Sequence, residues 1–311
     1  MSKVFIDGSA GTTGLRIVER LSARSDIELV TLPEELRKDI SARKQALNNC
    51  DAAFLCLPDA AAVEAVSLVE NPAVKLLDTS TAHRTNPGWA YGFPELGGEF
   101  LDRIKNGKRI AVPGCHASGF IALVYPLIEA GILPKSALLT CHSITGYSGG
   151  GKKMIAQYED ENRDVSLSSP RQYGLTQQHK HLKEMVAVSG IENAPVFCPI
   201  VADFYSGMCV TVPVFAKDLC AGRTVDDIKD VYKNKYNGGI VRYKEEIGEE
   251  GFICSNALSF KDNMEIFVQG NDERILLIAR YDNLDKGASG AAVECLNILL
   301  GVDRTTGLDL E

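Results

Sequence analysis

The chain has 311 residues, 45% hydrophobic and 24% charged, the make-up of an ordinary globular protein. At roughly 100–200 residues per domain, this length points to two domains. Its 33 basic and 41 acidic residues leave a formal charge of −8, which argues against nucleic acid or an anionic membrane as the main partner, because both need a basic surface. Any anionic ligand must then meet a local cationic pocket. No apolar run approaches the ~18 residues that span a bilayer, and the opening MSKVFIDGSAGTTG lacks the apolar stretch and cleavage site of a secretory signal. Nine cysteines without a CxxC pair suggest neither a disulfide framework nor a zinc ribbon, so a reducing, cytoplasmic setting is expected.

The run KVFID (3–7) is β-prone and leads into GSAGTTG, with glycines at 8, 11 and 14. An amphipathic stretch follows, with Leu15, Val18 and Leu21 expected on one helical face. Strand, glycine turn and helix is the setting in which backbone amides approach a pyrophosphate at the positive end of a helix. Gly8, Ser9, Gly11, Thr12, Thr13 and Gly14 are therefore candidate cofactor-binding residues, the threonines as hydroxyl donors. The alternation continues through IELVT (27–31), a charged helix near 34–48, DAAFLCLP (51–58), a helix near 60–69 and VKLLDTS (74–80). This is the pattern of a doubly wound, Rossmann-like α/β domain with a parallel sheet. After the second strand, Glu34 and Glu35 would suit a ribose 2′-hydroxyl, whereas Arg37 and Lys38 would suit a 2′-phosphate. Spacing leaves NAD and NADP both open.

In RIAVPGCHASGFIALVYPLIEAG (109–131), a buried strand and a Pro-Gly turn are followed by Cys115 at the start of an apolar helix. A helix N-terminus favours thiolate over thiol, which makes Cys115 a candidate nucleophile. First-turn amides and Ser118 can donate to a nearby anion. The other eight cysteines sit mostly in apolar runs and read as small core residues.

PGCHASG with Pro126 resembles the active-site signature of the N-acetyl-gamma-glutamyl-phosphate reductases, in their shorter, type 2 branch. The similarity runs through GSAGTTG, DTSTAHR (78–84), YGFPEL (91–96), TGYSGGGKK (145–153), QHKHLKE (178–184) and DNLDKGASGAAVECLNILLG (282–301). His116 replaces an aromatic residue usual in the longer branch, and Ser118 a threonine. The resemblance implies that a histidine of QHKHLKE works with the cysteine as acid and base. His179 and His181 are both candidates, with His179 the first choice. It also implies that Asn283, Lys286 and Gly287 lie near the nicotinamide or the active site, with Asn283 on the cofactor.

TGYSGGGKK matches a phosphate loop up to Lys152, but Lys153 stands where Ser or Thr would hold Mg²⁺. It reads better as a glycine-rich turn in which Ser148 and Lys152 meet phosphate or carboxylate. Arg84, following a strand end of the first domain, is a third candidate for substrate binding. The HxH pair has no evident third ligand, so no metal is expected.

The expected organisation is a dinucleotide-binding domain over 1–114 and 286–311, with a catalytic and dimerisation domain over 115–285. The runs ALLTCHSIT, APVFCPIVADF, MCVTVPVFA, EIFVQG and RILLIARY make the latter α+β on a mainly antiparallel sheet whose exposed face suits an oligomer interface. The resemblance implies NADPH-dependent reduction of N-acetyl-L-glutamyl 5-phosphate to the 5-semialdehyde through a Cys115 thioacyl intermediate, with phosphate released. It also implies a homo-oligomer, dimer or tetramer, acting on a small acyl phosphate. The alternatives are another phosphorylating semialdehyde dehydrogenase of the aspartate type, a cofactor-free Cys–His hydrolase, and a non-enzymatic NADP-sensing protein.

Overall fold

Alternation in the first strand dictates cover on both sides of a sheet. In β1 (Ser2–Asp7), Val4 and Ile6 belong to one apolar cluster and Phe5 to another, all buried. The computed structural model, which describes residues 1–311, supplies that cover with helices. After β1 come α1 (Thr12–Ser22), β2 (Ile27–Val30), α2 (Ile40–Asn48), β3 (Ala52–Leu55), α3 (Asp59–Ser67) and β4 (Lys75–Asp78). Then follow β5 (Ala90–Tyr91), α4 (Gly98–Asn106) and β6 (Arg109–Ala111). The six strands pair in the order β2-β1-β3-β4-β6-β5, every pair parallel. This is the doubly wound α/β domain expected from the alternation.

In α1 the buried positions are Gly14, Ile17 and Leu21, while Leu15 is 47% exposed. The face is turned by one residue from the expected one because Gly14 docks the helix on the preceding turn. A Cβ at Gly14 would stand 2.4 Å from the Gly8 carbonyl oxygen. The 34–48 segment is also shorter in helix than expected: a single 3₁₀ turn precedes α2, which starts at the Asp39 cap.

The second unit begins with α5 (Cys115–Glu129) and continues with β7 (Thr140–Gly146), α6 (Gly151–Glu159), β8 (Arg171–Gln172), α7 (His181–Ser189) and β9 (Val196–Ala202). It ends with β10 (Met208–Phe215), α8 (Val225–Lys235), β11 (Val241–Tyr243), β12 (Met264–Gly270) and β13 (Arg274–Tyr281). The sheet order is β11-β12-β13-β10-β7-β9-β8. Pairs β7–β9 and β11–β12 are parallel and the rest antiparallel, so the sheet is mixed. A parallel neighbour requires a crossover, and the chain between β7 and β9 carries α6 and α7.

The closing helix α9 (Gly290–Leu300) belongs to the first unit, where Ala292, Val293 and Leu296 join the cluster of Val4 and Ile6. The two units comprise Met1–Pro113 with Ala288–Leu308, and Gly114–Gly287 with Asp309–Glu311. The last three residues thus leave the first unit, in which they were expected. The Asp309 and Glu311 amides donate to Asp262 and Asn263 of the second. No helix is long and apolar enough to cross a membrane.

Helix α5 is buried on nearly every side and contains Pro126, which has no N–H for the Ala122 carbonyl. The Tyr236 hydroxyl donates to that carbonyl at 2.7 Å, and the Tyr232 hydroxyl to Leu123 O at 2.5 Å. A third tyrosine, Tyr281, acts on the first turn: its hydroxyl donates to Cys115 O at 2.5 Å and accepts from Gly119 N–H at 3.0 Å. Gly119 makes room for it, since a Cβ there would stand 2.7 Å from both the Tyr281 hydroxyl and Val210. Gly119→Ala should therefore lower stability by about 1–3 kcal/mol through overpacking. Urea unfolding measures this, and wild-type stability would contradict the packing described.

Candidate active site

In the first unit, the glycine turn builds a cradle at the end of β1. Gly8 has φ +87, and a Cβ there would lie 2.2 Å from Cys56 O, so only glycine fits. Gly11 is the N-cap of α1 and offers no side chain, leaving first-turn amides for a ligand. Gly8, Ser9 and Gly11 line a cavity of about 500 Å³. Thr12 and Thr13 are the first two residues of α1. Gly14 differs from expectation: buried beneath the Gly8 carbonyl, it serves helix docking. These features fit a dinucleotide.

Arg37 and Lys38 also line the cavity, and Glu34 and Glu35 do not. Arg43 reaches it too, but its guanidinium is held by Asp7 at 3.0 Å and Glu64 at 2.7 Å. Burial pushes the Asp7 carboxyl up, and Arg43 opposes that shift.

The DTSTAHR segment forms a buried knot. Asp78 accepts from Ser80 N–H at 2.9 Å and Ser80 Oγ at 2.8 Å, and lies 2.6 Å from His83 Nδ1. The His83 ring stacks on Trp89. Arg84, next along, donates to the carbonyls of Thr79 and Val112, both at 2.9 Å. Its guanidinium thereby ties two strand ends, a use that the sequence did not suggest.

In the second unit, Cys115 is the first residue of α5 and only partly buried. Three contacts fix it. Gly114 N–H donates to the buried Glu184 carboxylate at 2.7 Å, and Tyr281 holds the Cys115 carbonyl. Gly287 packs so closely that a Cβ would lie 3.1 Å from Cys115 Cβ.

The next residue, His116, gathers with His179 and His181, their ring centroids 4.9–5.9 Å apart. His181 opens α7, and its backbone N–H lies 3.4 Å from His179 Nδ1, which accepts. Burial lowers the His179 pKa, helped by Lys180. His116 is 97% buried, since only 3% of its surface is exposed, and it is bonded at both nitrogens: Nδ1 to Ser143 Oγ at 2.6 Å and Nε2 to Tyr173 Oη at 2.7 Å. Burial pushes its pKa down to about 3, with His179 and Lys180 adding to the effect. This cluster can hold neutral imidazoles around the residue that follows Cys115. Ser143, Tyr173 and Glu184 were not anticipated as site residues.

Ser148 and Asn283 are brought together elsewhere in this unit. Asn283 Nδ2 donates to Ser148 Oγ at 3.0 Å, and its Oδ1 accepts from Gly207 N–H at 2.8 Å. Both side chains are buried and brace the glycine-rich turn. Asn283, expected on the cofactor, and Ser148, expected on the substrate, are thus bonded to each other. Lys152 is exposed in the first turn of α6. No group of three His, Cys, Asp or Glu side chains converges as a metal site.

A dinucleotide cradle on a parallel sheet, and a cysteine opening a helix whose next residue packs against two further histidines, fit the semialdehyde dehydrogenase class. The NAD binding domain of that class matches residues 31–104 and its dimerisation domain residues 115–283. The chain is 44% identical over 318 residues to N-acetyl-gamma-glutamyl-phosphate reductase 2 of Nostoc sp., covering 98% of this chain and 99% of that protein. It is 45% identical over 305 residues to the N-acetyl-gamma-glutamyl-phosphate reductase of Sinorhizobium medicae, covering 96% and 98%. Among solved structures, aspartate semialdehyde dehydrogenase II of Vibrio cholerae superposes with a TM-score of 0.72 at 16% identity, covering 97% of this chain and 98% of that one. The chain belongs to the N-acetyl-gamma-glutamyl-phosphate reductase family.

The neutral His116 makes a testable contribution to pH dependence. Its pKa is depressed on folding, so below 6.5 the unfolded chain binds a proton that the folded chain resists until about 3. Stability should fall as pH drops through that window, by up to about 1.4 kcal/mol per pH unit from this group. His116→Gln should flatten the slope in urea titrations, and an unchanged slope would contradict the buried neutral imidazole.

Proposed function

We propose that this protein reduces N-acetyl-L-glutamyl 5-phosphate to N-acetyl-L-glutamate 5-semialdehyde with NADPH, releasing phosphate. The observation that carries this reading is Cys115 at the start of α5, fixed by Glu184, Tyr281 and Gly287, with its neighbour His116 packed against His179 and His181. The full-length likeness to reductases of that name supports the substrate.

The Cys115 thiolate attacks the acyl carbon; the S–C bond forms as the C–O bond to phosphate breaks. Phosphate leaves with that electron pair, and a thioester remains on Cys115. Amides of the first turn of α5 stabilise the oxyanion of this step. When bound, the nicotinamide supplies the hydride that takes the thioester to the aldehyde level. The tetrahedral oxyanion so formed collapses to the aldehyde: C=O re-forms, the C–S bond breaks with its electron pair leaving on the Cys115 sulfur, and the imidazole of His179 or His181 exchanges a proton with that sulfur. His179 remains the first choice because its neutral form is favoured. Arg84, Ser148 and Lys152 are the proposed substrate-side residues, the first two through the backbone they hold. Asn283 is proposed to act on the cofactor in the same indirect way.

Gly8, Ser9 and Gly11 would hold the pyrophosphate at the open end of α1, with Thr12 and Thr13 beside it. We assign the cofactor as NADP(H), because Arg37 and Lys38 face the cavity and Arg43 is neutralised by acids. The assembly is a homo-oligomer, dimer or tetramer, through the outer face of the mixed sheet. Val196, Phe215 and Leu276 are 56%, 53% and 39% exposed there, on strands whose register places them on one side. Nine free cysteines suit a cytoplasmic setting.

The reaction run backwards tests this reading. N-acetylglutamate semialdehyde and NADP⁺ should give reduced nicotinamide only with phosphate, and Cys115→Ser should abolish the signal while still binding NADP⁺. Arg37→Ala should weaken the preference for NADP⁺ over NAD⁺ about tenfold or more, the value of a charge-assisted phosphate contact. Activity on aspartate semialdehyde alone would replace the substrate. Phosphate-independent turnover would overturn the acyl-phosphate chemistry.

A further inference from the structure

Hydrogen-bond accounting around His116 identifies a donor that the reaction above does not use. Ser143 is fully buried, and its hydroxyl has one hydrogen-bonding partner, His116 Nδ1 at 2.6 Å. A serine hydroxyl has a single hydrogen to give. If Nδ1 carried the imidazole proton, the Ser143 hydrogen would be buried with no acceptor, the costly arrangement. Ser143 therefore donates to Nδ1, and the neutral ring carries its proton on Nε2. That Nε2–H donates to the Tyr173 oxygen at 2.7 Å.

The consequence falls on Tyr173. Its oxygen accepts from His116, so its own O–H is not used on that partner, and no other protein acceptor takes it. The residue is only partly buried. Its ring lies 5.9 Å from that of His179, and His116 follows Cys115 directly in α5. Burial pushes the Tyr173 phenol well above its usual range, with the nearby Cys115 charge adding to the shift. The group thus keeps its hydrogen.

Resting on the proposed reaction, we infer that Tyr173 is a further catalytic residue, whose O–H donates a hydrogen bond to the oxygen of the Cys115-bound acyl group, oriented by a relay from Ser143 through His116. The phenol keeps its proton throughout, acting as a fixed dipole beside the developing oxyanion. His116 and Ser143 are positioning residues.

Two measurements on the full-length protein test this inference. In ¹⁵N-histidine-labelled protein, with the His116→Gln variant identifying the signal, His116 should be the Nε2–H tautomer at neutral pH. The Nδ1–H tautomer would overturn the relay. Tyr173→Phe, which keeps the ring, should lower the turnover of N-acetylglutamate semialdehyde by about 100-fold, the usual loss for one oxyanion donor. It should leave NADP⁺ binding and the rate of Cys115 alkylation by iodoacetamide unchanged. Turnover close to wild type would overturn the catalytic role. Loss of alkylation along with turnover would reassign Tyr173 to structure. A wild-type protein silent with phosphate, NADP⁺ and every aldehyde would instead remove the parent reaction, and this role with it, whatever the tautomer.

Discussion

The first turn of α5 is the constraint on which the second unit depends. Cys115 opens the helix, and a helix end leaves amides and carbonyls to be satisfied. The protein meets that demand with buried groups from distant segments. Glu184 takes the Gly114 amide, and Tyr281 bridges the Cys115 carbonyl and the Gly119 amide. Each contact fixes backbone rather than sulfur. Cys115 is therefore held through its peptide units.

The same turn explains why small residues gather where they do. Gly119 admits the Tyr281 hydroxyl, and Gly287 admits Cys115 Cβ. Farther along, Tyr232 and Tyr236 cap carbonyls near Pro126, so a helix apolar on every side is still anchored by three phenols. The histidine cluster follows another rule. Three imidazoles within 6 Å would repel if protonated, and burial holds His116 and His179 toward neutrality. Neutral rings can accept protons.

The sequence made the local features legible. Strand alternation, the glycine turn and Cys115 after Pro-Gly are all set by residues within a few positions of one another, and their reading matches the observed elements. The α1 face was off by one residue because Gly14, read as a ligand contact, is where the helix touches the turn. What local pattern could not reveal is tertiary pairing. Ser143 and Tyr173 meet His116 from 27 and 57 positions away, and Tyr281 meets Gly119 across 162. Ser148 read as a ligand-binding group within its glycine-rich turn, and the family resemblance put Asn283 on the cofactor; only their mutual bond shows that they brace a turn. His116 was visible as a departure from the aromatic residue of the longer branch, but its two partners give that departure a physical meaning.

The proposed reaction requires a covalent bond to Cys115. Incubating the protein with N-acetylglutamyl phosphate in the absence of NADPH, quenching in acid and mapping peptides by mass spectrometry reads that bond directly. The expected result is one N-acetylglutamyl group on Cys115, removed when NADPH is added before the quench. Acylation of another residue, or no acylation alongside NADPH-dependent turnover, would contradict it.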